Sequence, residues 1–337
     1  MKIKLLAALA ALGMSGNALA YFECKVINIP NFQPEVINAK ASEAIQLRAD
    51  AEPSTTTPIG RAIPVSGSSE LRITCEGDKI HMRRPYIGIY VPYPGFDNMY
   101  KTQIDGIGVK FITARGTSDD GLPLPRPEAI IRETPGASLI HMTMPTERFI
   151  AYFYKLESNV KLNTRYPDSN LLAQGGSIGQ AYIENLLIAN YTMESVYIVG
   201  IPVCTVDNPL PVNFDTINAD DVQRGVEKPL EFGINCKTDY GNYDVTASIR
   251  SDNITSDGNY LKVTDSNNKD DSLVIKITDE NNNHIKVDNS TEIKINNIYS
   301  GQKASFKWHA KLTKPNGQPY PAQGPFRANA IITLNIK

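Results

Sequence analysis

The sequence predicts an all-β protein that is built from two β-sandwiches in tandem. Segments rich in Val, Ile, Thr and Tyr recur along the chain, and clusters of Gly, Pro, Asn and Asp separate them. This pattern is typical of short strands joined by turns. The chain has 337 residues, and because domains usually contain about 100–200 residues, this length favours two domains.

Residues 1–20 have the pattern of a secretory signal peptide. The stretch MKIKLLAALAALGMSGNALA begins with two lysines, continues with an apolar run and ends in Ala-Leu-Ala, which fits a cleavage site. The apolar run is far shorter than the ~20 residues that a membrane-spanning helix needs. We therefore expect an exported chain that begins at Tyr21.

The composition argues against several classes of function. The hydrophobic fraction is 41% and the net charge is −2, which is typical of folded, soluble domains. Because the chain has no block of basic residues, we expect no nucleic-acid partner. The sequence has no C-x-x-C or H-E-x-x-H motif and no Gly-rich phosphate loop, and its four histidines are scattered. It therefore predicts no metal site and no cofactor.

The four cysteines divide into two pairs that are close in sequence. Cys24 and Cys75 lie in the first half of the chain, and Cys204 and Cys236 lie in the second half. An even number of cysteines in an exported chain indicates disulfides, because the compartment outside the cytosol is oxidising. Four cysteines allow three pairings. We predict the bridges Cys24–Cys75 and Cys204–Cys236, one in each domain.

Gly200 marks the predicted boundary between the two domains. The segment ESVYIVGIPVCTVDNPLPVNF runs from a strand into Gly and Pro residues, which interrupt regular structure. The first domain is predicted at residues 21–199, with strands such as LRITC, GIGVKFITA and FIAYFYKL. The second is predicted at residues 200–337, where shorter strands recur about every 8–12 residues, and this spacing indicates a β-sandwich.

The stretch FRANAIITLNIK at the C-terminus alternates between two faces. One face carries Phe326, Ala328, Ala330, Ile332, Leu334 and Ile336. A period of two residues predicts a strand with one buried face. Two explanations stay open at this point: a closed sandwich whose last strand is this stretch, and a sheet that lacks a neighbouring strand.

Together these features resemble the two-domain tip adhesins of chaperone–usher fimbriae, the family of the mannose-binding tip protein of type 1 pili. The segments VCTVDNPLPVNFDTI and PLEFGINC are similar to the first two strands of a pilin domain, and ANAIITLNIK is similar to its alternating end. The family's frequent penultimate aromatic residue is replaced here by Ile336. The resemblance implies two immunoglobulin-like or jelly-roll-like sandwiches, of which the second is an incomplete pilin fold without its last strand.

The resemblance also implies a route of assembly. A periplasmic chaperone supplies a strand along the edge formed by residues 326–336, an outer-membrane usher exports the subunit, and the next fimbrial subunit then donates its own strand. Only Tyr21, Phe22 and Glu23 separate the predicted cleavage site from Cys24. We therefore expect a subunit that accepts a strand but donates none, which places it at the tip of the fimbrium on the cell surface.

Carbohydrate binding is the activity that the resemblance implies for the first domain, with a host glycan or glycoprotein as partner. Sugar sites combine aromatic faces with a few polar groups that fix orientation. Two stretches of the first domain have this mixture, and a loop that lies between them in the sequence adds two carboxylates. Taken in sequence order as three stretches, their candidate residues are Tyr90, Tyr93, Phe96, Asp97, Asn98 and Tyr100 in the first, Asp119 and Asp120 in the second, and Arg165, Tyr166 and Asp168 in the third.

Other interpretations compete with sugar binding. Asn, Asp and Tyr in turns commonly stabilise the turn itself. Paired carboxylates such as Asp119 and Asp120 also occur in glycoside hydrolases, but two adjacent Asp in a Gly-flanked loop are usually solvated, and we predict no enzyme. The main alternative is a structural tip or initiator pilin, or a binder of a protein receptor without lectin activity.

Overall fold

The computed structural model describes residues 22–64, 69–116, 121–207 and 211–337. The regular elements of these residues are strands, apart from one short helix. The strands make two groups in tandem, and each group surrounds its own hydrophobic core. The predicted all-β fold class is therefore confirmed. Within the described ranges, no helix has the length and the apolar character needed to cross a membrane.

The N-terminal region, residues 22–201, contains sixteen strands in its described part. They are β1 Cys24–Val26, β2 Glu35–Lys40, β3 Ile45–Arg48, β4 Gly60–Pro64, β5 Leu71–Glu76, β6 Lys79–Arg84, β7 Tyr100–Lys101, β8 Ile107–Arg115, β9 Leu122–Pro123, β10 Arg126–Glu133, β11 Leu139–Met144, β12 Glu147–Lys155, β13 Asn170–Ala173, β14 Gly176–Ile183, β15 Leu186–Met193 and β16 Val196–Ile201. One sheet has the order β1-β5-β11 and another β13-β16-β3. The largest has the order β10-β6-β14-β15-β2-β4-β12-β8-β7, and β9 lies beside β8.

The long antiparallel pair β8 and β12 gives the N-terminal region two distinct ends. All nine residues of β12 pair with β8, from Glu147 opposite Arg115 to Lys155 opposite Ile107. Both strands are rich in Val, Ile, Phe and Tyr and are buried on both faces along most of their length, as expected for central strands. At about 3.4 Å per residue, Glu147 and Lys155 lie about 27 Å apart. We call the two ends of the N-terminal region the Glu147 end and the Lys155 end.

The C-terminal region, residues 202–337, contains nine strands and one helix in its described part. They are β17 Val203–Val206, α1 Ala219–Arg224, β18 Val226–Lys237, β19 Asn242–Arg250, β20 Leu261–Val263, β21 Leu273–Thr278, β22 His284–Ile285, β23 Ile293–Tyr299, β24 Lys303–Thr313 and β25 Ile331–Ile336. One sheet has the order β17-β18-β24-β21-β20 with β22 beside β21, and the other has the order β23-β19-β25. Trp308 on β24 lies between them, edge-on to Phe232 of β18 at 4.9 Å.

The short helix α1 was not predicted from the sequence. A capping box holds its first turn: the Asn218 side chain accepts hydrogen bonds from the backbone N–H groups of Asp220 and Asp221, and the Asp221 carboxylate accepts one from the Asn218 N–H. Such reciprocal bonds satisfy the free donors of a helix start. Val222 fixes the helix to the core of the C-terminal region.

Both predicted disulfides are confirmed. Cys24 on β1 is the register partner of Cys75 on β5, and the two are bonded. Cys204 on β17 is likewise the register partner of Cys236 on β18, and these two are bonded. Each bridge therefore joins two neighbouring antiparallel strands and ties the first strand of its region to the core.

The terminal strand β25 is shorter than the sequence predicts. It spans Ile331–Ile336 and pairs with β19, whereas the alternating pattern begins at Phe326. The cause is a competing contact: Arg327 forms an isolated bridge with Thr264, which follows β20 in the other sheet. The Ser251 hydroxyl also donates to the Asn329 carbonyl at 2.6 Å. The chain therefore crosses from one sheet to the other before β25 starts.

The two regions meet at the end of the N-terminal region that contains Lys155. The Leu162 N–H donates to the Asp239 carbonyl at 2.8 Å, and Tyr240 packs against both hydrophobic cores. Gly200 lies within β16, and a Cβ at this position would approach a Leu162 methyl group at 2.7 Å. Pro202 separates β16 from β17. The domain boundary near Gly200, with domains at residues 21–199 and 200–337, stays a prediction.

Candidate functional site

Two of the predicted sugar-binding residues are core residues. The Tyr90 ring packs edge-on against Phe111 at 5.4 Å, and its hydroxyl donates to the Gln174 carbonyl. Tyr100 stacks on Tyr86 at 4.4 Å. Both side chains are almost fully buried, and this burial raises the pKa of each phenol. These two aromatic residues therefore stabilise the sandwich, and their faces are covered by protein.

The rest of the first predicted stretch forms a turn near the Lys155 end. Tyr93 packs edge-on against Phe96 at 5.4 Å and donates its hydroxyl to a Glu157 carboxylate oxygen at 2.6 Å. Burial, together with that carboxylate, raises the pKa of Tyr93 to about 12. Asp97 and Asn98 are exposed, and Asn98 has a φ of 53°, a left-handed conformation that Asn tolerates in turns.

The third predicted stretch lies at the junction between the two regions. The Arg165 guanidinium lies 3.3 Å from a carboxylate oxygen of Asp244 and 3.5 Å from the side-chain oxygen of Asn297, both in the C-terminal region. Tyr166 and Asp168 are exposed, and the Asp168 N–H closes a turn on the Arg165 carbonyl at 2.9 Å. The Arg165 side chain is thus engaged in an ion pair across the junction.

The second predicted stretch, with Asp119 and Asp120, lies outside the described residues, as do residues 1–21. Its flanks are described: Arg115 ends β8, and β9 begins at Leu122. These two flanks lie at the Glu147 end, opposite the junction. The first and third predicted stretches lie near the Lys155 end.

A buried ionic cluster at the Glu147 end was missed by the sequence analysis. The Arg84 guanidinium contacts both carboxylate oxygens of Glu147, at 2.6 and 3.3 Å. The Tyr191 hydroxyl donates to the same carboxylate at 2.9 Å, and Arg115 lies 3.4 Å from it. Arg84 and Glu147 are each only 3% exposed. A pair buried to this extent requires several hydrogen bonds to offset the cost of desolvation.

The charges of this cluster shift the pKa values of its members. Burial lowers the pKa of Arg84, but the charge of Glu147 and the bonds to Glu147 and Tyr191 outweigh it, so the net pKa is raised. Arg126 lies nearby, and burial together with the positive charges of Arg84 and Arg115 lowers its pKa. The cluster thus favours the charged form of Arg84 and disfavours that of Arg126.

An open groove in the C-terminal region is the second notable site. It has a volume of about 1330 Å³ and lies between the two sheets, where β25 and β20 are the edge strands. Apolar residues from both sheets line it, with Ile249 and Ile332 on one side and Ile275 on the other. The alternating residues of the terminal stretch that face this core, among them Leu334 and Ile336, are only partly buried.

The comparisons with known proteins identify the C-terminal part of the chain. Residues 195–337, which are less than half of the chain, match the family model described as "Fimbrial protein". After this match we call the C-terminal region, residues 202–337, the fimbrial domain. No curated protein sequence matches the chain.

The chain is also similar to solved structures of tip adhesins. The CupB6 tip adhesin of Pseudomonas aeruginosa matches with 10% identity and a TM-score of 0.33, over 93% of this chain and 94% of that one. A complex of the CsuC chaperone with the CsuE tip subunit from Acinetobacter baumannii matches with 11% identity and a TM-score of 0.37, over 93% and 99%. The receptor-binding domain of the adhesin MrkD1P of Klebsiella pneumoniae matches with 13% identity and a TM-score of 0.36, over 53% and 95%.

A G-x-S-x-G pattern at residues 175–179 is not a nucleophile elbow. In hydrolases this motif places the serine on a sharp turn between a strand and a helix. Here Ser177 lies in β14, which pairs with β15 and leads into no helix. The motif therefore provides no catalytic geometry.

Asp239 of the fimbrial domain is a buried carboxylate at the junction with the N-terminal region. It is only 9% exposed, and the charge of Lys155 of the N-terminal region, 2% exposed, acts on it. One of its oxygens accepts no hydrogen bond from the described residues. Burial raises the pKa of Asp239 to about 6, although the charge of Lys155 opposes the shift.

We expect Asp239→Asn to change how stability depends on pH. A carboxyl group whose pKa is raised on folding binds its proton more tightly in the folded state. Its stabilising effect is therefore full below the unfolded pKa of about 4 and is lost as the pH rises through 6. Urea unfolding at pH 4 and pH 7.5 should show that the variant gains about 2–3 kcal/mol relative to the unmodified chain over this interval. The exposed Asp168→Asn is the control, and a pH-independent difference for Asp239→Asn would contradict the assignment.

Proposed function

We propose that this protein is a fimbrial tip adhesin. Its N-terminal region binds carbohydrate on a host surface, and its fimbrial domain is attached to the fibre by donor-strand complementation. The observation that carries the proposal is the open groove beside β25, together with the family match of the same region. On this proposal residues 1–20 direct export and are removed in the periplasm.

The groove has the properties of a site for an added strand. β25 pairs with β19 on one side, and among the described residues no strand pairs with its other edge. Backbone N–H and C=O groups at such an edge need partners, and a bare edge favours uncontrolled pairing with other chains. A strand inserted beside β25 would satisfy these groups, and its alternate side chains would fill the apolar groove.

The proposed partners follow from this geometry. A periplasmic chaperone would provide the strand before assembly, an outer-membrane usher would export the complex, and the N-terminal strand of the next subunit would replace the chaperone. The N-terminal region pairs its strands only with one another in the described residues and has its own core. It is therefore a second module, which is available for binding a receptor. No catalytic role is proposed for either region.

Carbohydrate binding is tested with a glycan array. The chain from Tyr21 to Lys337 should bind a restricted set of glycans, and the corresponding free sugar should compete with this binding. Thermal unfolding is measured in parallel to show that the protein applied to the array is folded. A folded protein that binds no glycan, or that binds host surface proteins without competition by sugars, would contradict the lectin assignment and favour a structural or protein-binding tip subunit.

A further inference from the structure

Four strand ends bring charged residues together at the Glu147 end of the N-terminal region. Arg84 ends β6 and is the register partner of Arg126, which begins β10. Arg115 ends β8 and is the register partner of Glu147, which begins β12. Because the strands are antiparallel, both pairs lie at strand ends, where the chain enters or leaves the sheet. The cluster is therefore about 27 Å along β12 from Lys155 at the junction with the fimbrial domain.

Among the described residues of this cluster, positive charge exceeds negative charge. The Glu147 carboxylate interacts with the guanidinium groups of Arg84 and Arg115 and with the Tyr191 hydroxyl. Arg126 is close enough for its charge to interact with both arginines and with Glu147. In the described residues it makes no hydrogen bond or ion pair of its own. One carboxylate thus serves three guanidinium groups, whose repulsion is only partly compensated.

The cluster extends from the core to the surface. The Arg84 side chain is buried, Arg126 is half-buried, and the Arg115 side chain is 37% exposed. The pair Arg84–Glu147 fixes the inner part. Arg115 directs its Nε to Glu147 and its Nη2 to the Met82 sulfur, at 3.4 and 2.8 Å, and its remaining nitrogen, Nη1, has no partner among the described residues. The charges of Arg115 and Arg126 interact with each other. A guanidinium group presents planar paired donors that match the geometry of a carboxylate or a sulfate.

We propose that Arg115 and Arg126 bind the anionic group of an acidic saccharide, a carboxylate or a sulfate ester, at this end of the N-terminal region. Arg84 and Glu147 are positioning residues in this site. The proposal rests on the proposed carbohydrate binding and specifies the class of sugar. A bound anion would offset the repulsion among the three arginines. Burial, and after it the charges of Arg84 and Arg115, lowers the pKa of Arg126, and a bound anion would oppose both effects. The distal location places the site away from the fibre, where a receptor has access.

The experiment compares acidic and neutral glycans on one array with the chain from Tyr21 to Lys337. The array contains sialylated, uronic-acid and sulfated glycans with their uncharged counterparts. Binding to glycans that carry a carboxylate can therefore be compared with binding to glycans that carry a sulfate. Binding should favour the acidic members and weaken as NaCl is raised, since exposed charge pairs are screened. Arg126→Gln and the more exposed Arg115→Gln should each reduce acidic-glycan binding about 10-fold or more.

The matched control is Arg132→Gln, an exposed position on the same strand β10 that removes the same charge. It should leave binding unchanged. Strong binding to neutral glycans that neither NaCl nor the two cluster variants alter would overturn this inference and leave the lectin assignment intact. If the folded, unmodified chain binds no glycan at all, the proposed function is refuted instead. If both variants unfold, the preference for acidic glycans and its dependence on NaCl decide the question with the unmodified chain.

Discussion

Glu147→Gln is expected to lower the free energy of unfolding by about 3–5 kcal/mol, as removal of one partner from a buried ion pair does. The amide can still accept a hydrogen bond from Tyr191, but it no longer carries the charge that compensates Arg84. Arg84 is 3% exposed and cannot turn into water without disrupting β6. The repulsion among the three guanidinium groups of the cluster would then no longer be offset by the charge of Glu147.

The comparison variant for this effect is Glu133→Gln. Glu133 lies 3.0 Å from Lys79, and both side chains are more than 40% exposed. Exposed ion pairs contribute about 0–1 kcal/mol. The free energy of unfolding of this variant, measured in urea, should therefore be close to that of the unmodified chain. Equal destabilisation by the two variants would show that the Glu147 cluster is accessible to water and contributes little to stability.

Local patterning accounts for the parts of the fold that the sequence predicts. Period-two alternation depends only on neighbouring residues, so strands such as β8, β12 and β24 could be recognised from their own segments. The disulfides were predictable for a similar reason, since each joins two cysteines of one region. The family resemblance was carried by segments of the C-terminal region, and the family match covers the same residues.

The ionic cluster depends on contacts that no local pattern contains. Arg84 and Glu147 are 63 residues apart, and each is an ordinary charged residue at a strand end. Burial at these positions follows from how β6 and β12 pack within the large sheet. The adjacent arginines at residues 83 and 84 were the only signal, since a charged pair that ends an apolar strand is uncommon unless one member has a buried partner.

The placement of the aromatic candidates also required the tertiary structure. Tyr90 and Tyr100 occur in a stretch rich in turn residues, which indicates an exposed loop. Yet both rings pack around Phe111 of the central strand β8. The stretch therefore contributes side chains to the core of the N-terminal region. Aromatic residues in a polar loop therefore fit a binding site and a core equally well at the level of sequence.

A strand added beside β25 should stabilise the fimbrial domain strongly. We expect a ten-residue peptide of alternating apolar and polar residues, fused after Lys337 through a short Gly-Asn linker, to raise the midpoint of thermal unfolding by more than about 10 °C. Filling the groove buries several apolar side chains, each of which contributes about 1.5–3 kcal/mol when fully buried. The peptide also supplies partners for the backbone groups at the free edge of β25.

Two adjacent residues of β25 allow a matched test of this mechanism. Ile332 faces the groove and is partly buried, whereas Ile331 points away from it and is 56% exposed. Ile332→Asp should abolish the gain from the fused strand and reduce co-purification with a periplasmic chaperone about 10-fold or more, because a buried carboxylate opposes insertion of an apolar side chain. Ile331→Asp introduces the same charge on the other face and should preserve both properties. If the two variants behave alike, or if the fused strand has no effect on the unmodified chain, the groove does not accept a strand. The fimbrial domain must then be held in its fibre by another surface.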